Sequence, residues 1–211
     1  GIMDDVTEVF NSLTGYSNKR SYNALLVAPV GLRQGFRALV EREMEHAKAG
    51  RPARMILKNN AVADQGMIKI LYRASQAGVT IDMIVRGVCC LRPGIPGISD
   101  HIRVRSIVGQ FLEHSRIYYF ENGGAPEVYI GSADLMERNL DRRVEVLCPV
   151  TDPVLKQLLR DAVLEVLLSD TDRAWTLQTD GAYVRATPPE GVPAFNSQRF
   201  LLEWYAAQHE T

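Results

Sequence analysis

Apolar and polar residues alternate along the first half of the chain with the periods of an α/β fold. Apolar runs at 22–28, 53–58 and 79–87 predict three buried strands. The segments between them, 31–50 and 64–78, carry apolar residues at helical spacing and predict two amphipathic helices. Near-continuous apolar strands that alternate with helices are typical of a parallel sheet covered by helices on its faces.

The second half of the chain follows a less regular pattern. After a long Gly- and Pro-rich loop, residues 101–108 predict a short strand and residues 109–114 predict a turn of helix. Two apolar runs within 115–132 flank a pair of glycines and predict a β-hairpin. The remaining predicted elements are a strand at 140–150, a helix at 152–170, a hairpin turning at Asp180–Gly181 and a helix at 196–208.

These elements predict one α/β domain, with a mixed β-sheet flanked by helices on both faces. Residues 1–20 predict a helical lead-in, with apolar residues at helical spacing up to Leu13, and residues 21–211 form the domain itself. We expect the lead-in to be the remnant of an upstream segment.

Polar residues collect at one end of the predicted 115–132 hairpin. The period of a strand puts His114 and Arg116 on one face, and a turn at the two glycines pairs Arg116 with Gly131. Ser132 and Asp134 then reach the same end of the sheet as His114. A histidine can act as nucleophile or general acid/base near neutral pH, and a neighbouring arginine can hold phosphate oxygens. The cluster therefore fits phosphoryl chemistry.

Each of these candidate residues also has a structural interpretation. His114 can simply end a helix and form a salt bridge with Glu113 or Asp134. Lys58 and Arg86 end neighbouring parallel strands at one edge, where ligands of α/β sheets bind, and we expect them to converge on one phosphate; the alternative is a pair of surface cations. Arg143 and Glu145 share a strand face, from which they either orient the His114 cluster or form a structural ion pair.

Composition excludes several other classes of function. The 211 residues carry a net charge of −1, which does not favour binding to nucleic acid or to a membrane surface. Three cysteines and four histidines, without a Cys-x-x-Cys pair, do not form the pattern of a zinc site. No apolar run approaches the roughly 18 residues of a membrane span. Reduced thiols in a cytoplasmic protein are the simplest interpretation.

Two short motifs resemble a known superfamily. The residues "EHSR" at 113–116 and "GSAD" at 131–134 resemble the His-x-Lys…Gly-Ser-x-Asn motif of the phospholipase D superfamily. Arg116 stands in the place of the lysine and Asp134 in the place of the asparagine. Over residues 22–170, and above all in the ungapped stretch 85–124, the sequence is similar to the C-terminal part of bacterial polyphosphate kinases.

That resemblance implies a phospholipase D-like domain and a specific reaction. Polyphosphate kinases transfer the γ-phosphate of ATP reversibly to inorganic polyphosphate through a phosphohistidine. In the family this histidine and the Mg²⁺-binding groups lie in an upstream domain. We therefore expect the Mg²⁺ ligands there, no metal ligands in this chain, and no activity from this chain alone. Arg86 matches the family's ATP-binding arginine, and His114 matches its second essential histidine.

We accordingly predict one catalytic residue, His114, and a set of residues around it. The predicted ATP- or phosphate-binding residues are Arg86, His114, Lys58, Asn60, Arg116 and Ser132. The predicted supporting residues are Asp134, Arg138, Asn139, Arg143 and Glu145. We expect ATP or ADP and inorganic polyphosphate as partners, no nucleic acid, a homo-oligomer for the full-length enzyme, and a cytoplasmic location, with peripheral membrane association left open.

Two other functions compete with this interpretation. A phospholipase D-like phosphodiesterase or nuclease needs two His-x-Lys motifs, and this chain carries one, with arginine in place of lysine. A purely structural or interaction module would have no affinity for phosphate.

Overall fold

The computed structural model describes residues 1–16 and 21–209. Its centre is a nine-stranded mixed sheet with the strand order β1-β7-β6-β5-β2-β3-β4-β8-β9. The strands are β1 (Leu26–Ala28), β2 (Arg54–Asn59), β3 (Thr80–Val85), β4 (Ile102–Ile107), β5 (Arg116–Phe120), β6 (Glu127–Gly131), β7 (Glu145–Val150), β8 (Ala174–Leu177) and β9 (Tyr183–Arg185).

The parallel part of the sheet contains a different set of strands from the one predicted. Strands β2, β3 and β4 are parallel neighbours, but β1 lies at the sheet edge, where it pairs antiparallel with β7. The strand predicted over 22–28 is also too long, since β1 has only three residues. Its upstream end is held by a side chain instead of a strand: the buried Asp5 carboxylate accepts hydrogen bonds from the backbone N–H groups of Ala24 (2.7 Å) and Leu25 (3.1 Å).

Helices cover both faces of the sheet, as predicted. The helices of the described residues are α1 (Ile2–Leu13), α2 (Leu32–Lys48), α3 (Gln65–Gln76), α4 (Pro153–Leu158), α5 (Glu165–Leu168) and α6 (Ser197–His209). A π-helical segment, Leu159–Leu164, joins α4 to α5, so the helix predicted over 152–170 is continuous in outline. The carboxylates of Asp64 and Asp152 accept backbone N–H groups at the starts of α3 and α4, where four donors lack helical partners.

Two hydrophobic cores result from the two-sided sheet. On the face covered by α2 and α3, the fully buried Phe36 ring makes edge-on contacts with Tyr118 and Phe120, with ring centroids 5.4 and 5.8 Å apart. On the opposite face, side chains of β2, β3 and β5 pack against Leu164 and Leu167. Successive residues of a strand point to opposite faces, so strands that are apolar at every position are the ones buried on both sides.

The hairpin that carries the predicted site has the expected register. Arg116 pairs with Gly131 across β5 and β6, and Asn122–Gly124 forms the turn. The predicted turn of helix at 109–114 is wrong, because residues 108–115 contain neither helix nor strand. Within this segment, the Phe111 backbone bonds to a side chain of α6 and not to a helical neighbour.

The N-terminal lead-in is helical, since α1 spans Ile2–Leu13. Residues 17–20 lie outside the described residues, so the domain boundary between residues 20 and 21 stays a prediction.

Candidate functional site

The candidate site lies at the carboxyl ends of β2 and β3. Lys58 is in register with Ile84 on the neighbouring strand, and Arg86 follows β3 directly. The Arg86 Nε–H donates a hydrogen bond to the Asn60 side-chain oxygen at 2.9 Å. Lys58 and Arg86 line one small cleft together with Glu113. The predicted convergence of the two cations at one sheet edge is therefore present in the structure.

Lys58 is a buried cation with three contacts to two residues, Ser115 and Glu113. Its Nζ donates to the Ser115 hydroxyl at 2.9 Å and to the Ser115 carbonyl at 3.3 Å, and it lies 3.2 Å from a Glu113 carboxylate oxygen. Burial lowers the pKa of Lys58 below its ordinary value, although the nearby Glu113 carboxylate opposes that shift. The cations of Arg86 and Arg116 lower this pKa further.

His114 projects from the irregular segment between β4 and β5. Its side chain is exposed and makes no hydrogen bond to any part of the chain that the structure describes. Its backbone is held, because the carbonyl accepts hydrogen bonds from Arg116 Nη1 at 3.0 Å and from Asn60 Nδ2 at 3.5 Å. His114 thus combines a fixed backbone with an imidazole free to meet a ligand.

The structural interpretation of His114 as a helix-ending ion-pair partner is wrong. The carboxylate of Glu113 pairs with Lys58, and the carboxylate of Asp134 pairs with Arg116. Residues 109–114 also form no helix for His114 to end.

Arg116 and Asp134 form a buried two-point ion pair. Arg116 Nε and Nη2 donate to the two Asp134 carboxylate oxygens at 3.2 and 3.0 Å, and the side chains are 13% and 9% exposed. Asp134 also accepts the Asn60 backbone N–H at 2.7 Å. This pair joins the hairpin to the end of β2. Arg116 is therefore already bound by a carboxylate, and its predicted role as a phosphate ligand has to compete with that contact.

The other predicted site residues fall into two groups. Ser132 and Arg138 are exposed, and the Ser132 hydroxyl accepts the Val146 backbone N–H at 3.2 Å. Asn139 is buried and donates to the Glu145 carboxylate at 2.6 Å. Their predicted functional roles remain predictions.

The predicted pairing of Arg143 with Glu145 is not present. A π-helical turn at Arg138–Arg142 delays the strand, so β7 begins only at Glu145. Arg143 is exposed and Glu145 is buried, and the Glu145 carboxylate bonds to Asn139 instead. The alternation of a strand cannot be applied to residues that precede the strand.

The site contains three residues that the sequence interpretation missed. Glu113 and Ser115 flank His114 and hold Lys58. Gln198, on α6, donates to the Glu113 carboxylate at 2.9 Å. The position of Glu113 and Ser115 beside the motif histidine was a usable signal, whereas nothing near Gln198 in the sequence points to this site.

The two adjacent cysteines after β3 differ in environment. Cys89 is partly buried, and burial raises the pKa of its thiol to about 11. Cys90 is exposed.

The donors at this edge suit an oxyanion. Arg86 and Lys58 present positive charge, and Asn60 fixes the guanidinium of Arg86. Across the described ranges 1–16 and 21–209, no group of three or more His, Cys, Asp or Glu side chains could hold a metal ion.

Comparison with known proteins identifies the family. Residues 25–198 match the family model described as "Polyphosphate kinase C-terminal domain 2". This chain belongs to that family.

Similar proteins agree with the family match. The chain is 57% identical over 198 residues to a polyphosphate kinase from Thermosynechococcus vestitus, which covers 94% of this chain and 27% of that protein. It superposes on the crystal structure of the Porphyromonas gingivalis polyphosphate kinase with a TM-score of 0.93 and 40% identity, over 99% of this chain and 32% of that chain. The chain thus spans about a quarter of the length of the curated relatives it matches.

The fold extends beyond the polyphosphate kinases. NucT from Helicobacter pylori matches 70% of this chain and 96% of its own, with a TM-score of 0.51 at 12% identity, which shows a shared fold and no more. The predicted fold class, a phospholipase D-like α/β domain with a mixed sheet and helices on both faces, is confirmed.

Proposed function

We propose that this chain is the C-terminal part of a polyphosphate kinase that transfers the γ-phosphate of ATP reversibly to inorganic polyphosphate. The phosphohistidine of this reaction belongs to an upstream domain. The observation that carries the proposal is the exposed imidazole of His114 on a backbone that is bound to Asn60, the residue that also holds the cation Arg86. The polyphosphate kinases at 57% identity and at a TM-score of 0.93 support it.

Arg86 is the proposed clamp on the ATP phosphates. Asn60 holds its Nε, while its two terminal NH₂ groups make no hydrogen bond within the described part of the chain. A guanidinium fixed at one nitrogen can still offer a two-point contact to phosphate oxygens. Lys58 lies in the same cleft and adds positive charge behind Arg86. Asn60 and Ser132 remain proposed secondary phosphate ligands.

His114 is proposed to act on the transferring phosphoryl group. As an imidazolium it would donate a hydrogen bond or a proton to the phosphoryl oxygens, and as a neutral imidazole it would take the proton back in the reverse reaction. Phosphoryl transfer is accelerated mostly by positioning and by stabilising charge on the phosphoryl oxygens. The fixed backbone and free side chain of His114 suit that role.

The described residues do not fit a Mg²⁺ site, since no suitable cluster of three ligands is present among them. We propose that the Mg²⁺ ligands lie in the upstream domain. A homo-oligomer for the full-length enzyme, a cytoplasmic location and the lack of a nucleic-acid partner are likewise proposals. None of the described helices is both long and apolar enough to cross a membrane.

The proposal is tested in the full-length enzyme with His114→Ala and His114→Gln. If His114 transfers a proton, both variants should lose about 10² to 10⁴ in turnover with little change in melting temperature. Glutamine keeps a hydrogen-bond donor but carries no proton to transfer. Normal turnover in His114→Gln, with His114→Ala impaired, would reduce His114 to a donor, and normal turnover in both would refute the role.

The chain on its own provides a second test. Without the upstream phosphohistidine, incubation with labelled ATP should produce neither acid-labile protein phosphate nor polymer. The chain should still bind triphosphate weakly and in a salt-sensitive way, and Arg86→Ala should weaken that binding in low-salt calorimetry. Robust turnover by the chain alone would overturn the half-site proposal.

A phospholipase D-like phosphodiesterase remains the competing function. The likeness to NucT shows the fold alone and does not favour that activity. Hydrolysis of a phosphodiester by the chain, and no polymer synthesis by the full-length enzyme, would decide for the competitor. A structural module would bind neither ATP nor polyphosphate.

A further inference from the structure

Gln198, on the first turn of α6, forms hydrogen bonds to the segment that carries His114. Its side chain is buried, and its amide makes two hydrogen bonds to one residue: Oε1 accepts the Phe111 N–H at 3.0 Å and Nε2 donates to the Phe111 carbonyl at 2.9 Å. These are the two bonds that a neighbouring β-strand would supply. At Phe111, within the irregular segment 108–115, one side chain thus supplies the backbone hydrogen bonds that regular secondary structure would otherwise provide.

Neighbouring residues allow Gln198 to approach this segment closely and fix the start of its helix. A Cβ atom at Gly109 would overlap the Gln198 amide, so the close approach depends on glycine at that position. The start of α6 is itself anchored, because the fully buried Asp170 accepts hydrogen bonds from the Ser197 N–H (2.8 Å) and the Ser197 hydroxyl (2.7 Å). Gln198 therefore projects toward the segment from a helix start that Asp170 holds in place.

The contacts of Gln198 extend to both sequence neighbours of His114. Gln198 Nε2 also donates to one Glu113 carboxylate oxygen at 2.9 Å, and the other Glu113 oxygen lies 3.2 Å from Lys58 Nζ. Lys58 in turn donates to the Ser115 hydroxyl at 2.9 Å. The residues before and after His114 are thus held by one continuous set of contacts that begins at Gln198.

We propose that Gln198 is a positioning residue for His114. It sets the course of the backbone from residue 109 to residue 115 and thereby the direction in which the exposed imidazole projects. Gln198 does not need to touch the phosphoryl group, and its effect is transmitted through Phe111 and Glu113. The role rests on the proposed function of His114 in phosphoryl transfer.

The test uses the full-length enzyme with Gln198→Met, which keeps the approximate length of the side chain and removes all three hydrogen bonds. We expect kcat to fall tenfold or more while KM for ATP changes less than twofold, since the Arg86 clamp stays in place. Hydrogen–deuterium exchange at residues 109–115 should become at least tenfold faster. Gln65→Met, the same change at the exposed first residue of α3, is the matched control and should alter neither kcat nor the exchange rate at residues 109–115.

Gln198→Asn is the second variant and covers the case in which Gln198→Met does not fold. It keeps the amide but withdraws it by one methylene, so a smaller loss of kcat is expected than for Met. Normal kcat in the folded Gln198 variants, beside an impaired His114→Ala, would overturn the positioning role and leave the proposed function intact. Normal turnover in His114→Ala would refute the proposed role of His114, and a loss of kcat in Gln198→Met beside it would also overturn the positioning of His114.

Discussion

The buried ion pair between Arg116 and Asp134 offers the sharpest test of how the site is held together. Its two hydrogen bonds are 3.2 and 3.0 Å long, and both side chains are shielded from water, with 13% and 9% of their surface exposed. Removing one partner of a buried pair leaves a charge without compensation, which typically costs about 3–5 kcal/mol. The cost should therefore depend strongly on whether the other partner is still present.

The structure sets the expected size of each effect. Among the described residues, Arg116→Met leaves the Asp134 carboxylate with the Asn60 N–H as its sole hydrogen-bond donor, and we expect a loss of about 3 to 4 kcal/mol in the free energy of unfolding. Asp134→Asn keeps an oxygen for that N–H but removes the charge beside Arg116, and we expect a loss of about 2 to 3 kcal/mol. The double variant leaves neither charge buried, so the two losses should overlap by about 2 kcal/mol.

Urea unfolding of the four proteins at neutral pH measures this coupling. The exposed pair of Arg199 and Glu203 on α6 is the matched control, since its side chains are 75% and 63% exposed. The same cycle there, Arg199→Met and Glu203→Gln, should give a coupling of no more than about 0.5 kcal/mol. A coupling that small between Arg116 and Asp134 would refute the reasoning and would leave Arg116 free to bind phosphate, as the sequence predicted.

Three further changes test other parts of the structure. Burial lowers the pKa of Lys58, so its charged form is disfavoured in the folded state. The free energy of unfolding of the wild type, relative to that of Lys58→Met, should therefore rise as pH increases toward about 10.5. A difference between the two proteins that does not change with pH in urea unfolding would contradict this. Gly131→Ala would push a Cβ atom into the Val146 carbonyl of β7 and should lower the free energy of unfolding by about 1–3 kcal/mol. Thermal unfolding measures this loss, and an unchanged melting temperature would argue against the close approach of Gly131 to Val146. Iodoacetamide at pH 8 should alkylate the exposed Cys90 before Cys89, whose thiol has a pKa of about 11, and peptide mass spectrometry showing equal rates would contradict that environment.

Local patterns in the sequence were sufficient for most of the elements and for part of the site. The hairpin register that pairs Arg116 with Gly131 follows from the turn and the two-residue period of a strand. The convergence of Lys58 and Arg86 follows from the rule that parallel strands end at a common edge. Helix starts at Asp64 and Asp152 follow from side chains that accept free backbone donors. Each of these depends on residues close in the chain or on a fixed backbone geometry.

The tertiary structure alone decided which partners the charged side chains have. On sequence grounds Glu113 was a candidate partner of His114, and only the folded chain brings Lys58 to it. Gln198 lies 85 residues from Glu113, and no period or motif connects the two. The place of β1 at the sheet edge, beside β7, was equally hidden, because strand order depends on how the whole sheet is covered. Sequence periodicity reports which face of an element is buried, whereas the identity of the neighbour depends on contacts between distant segments.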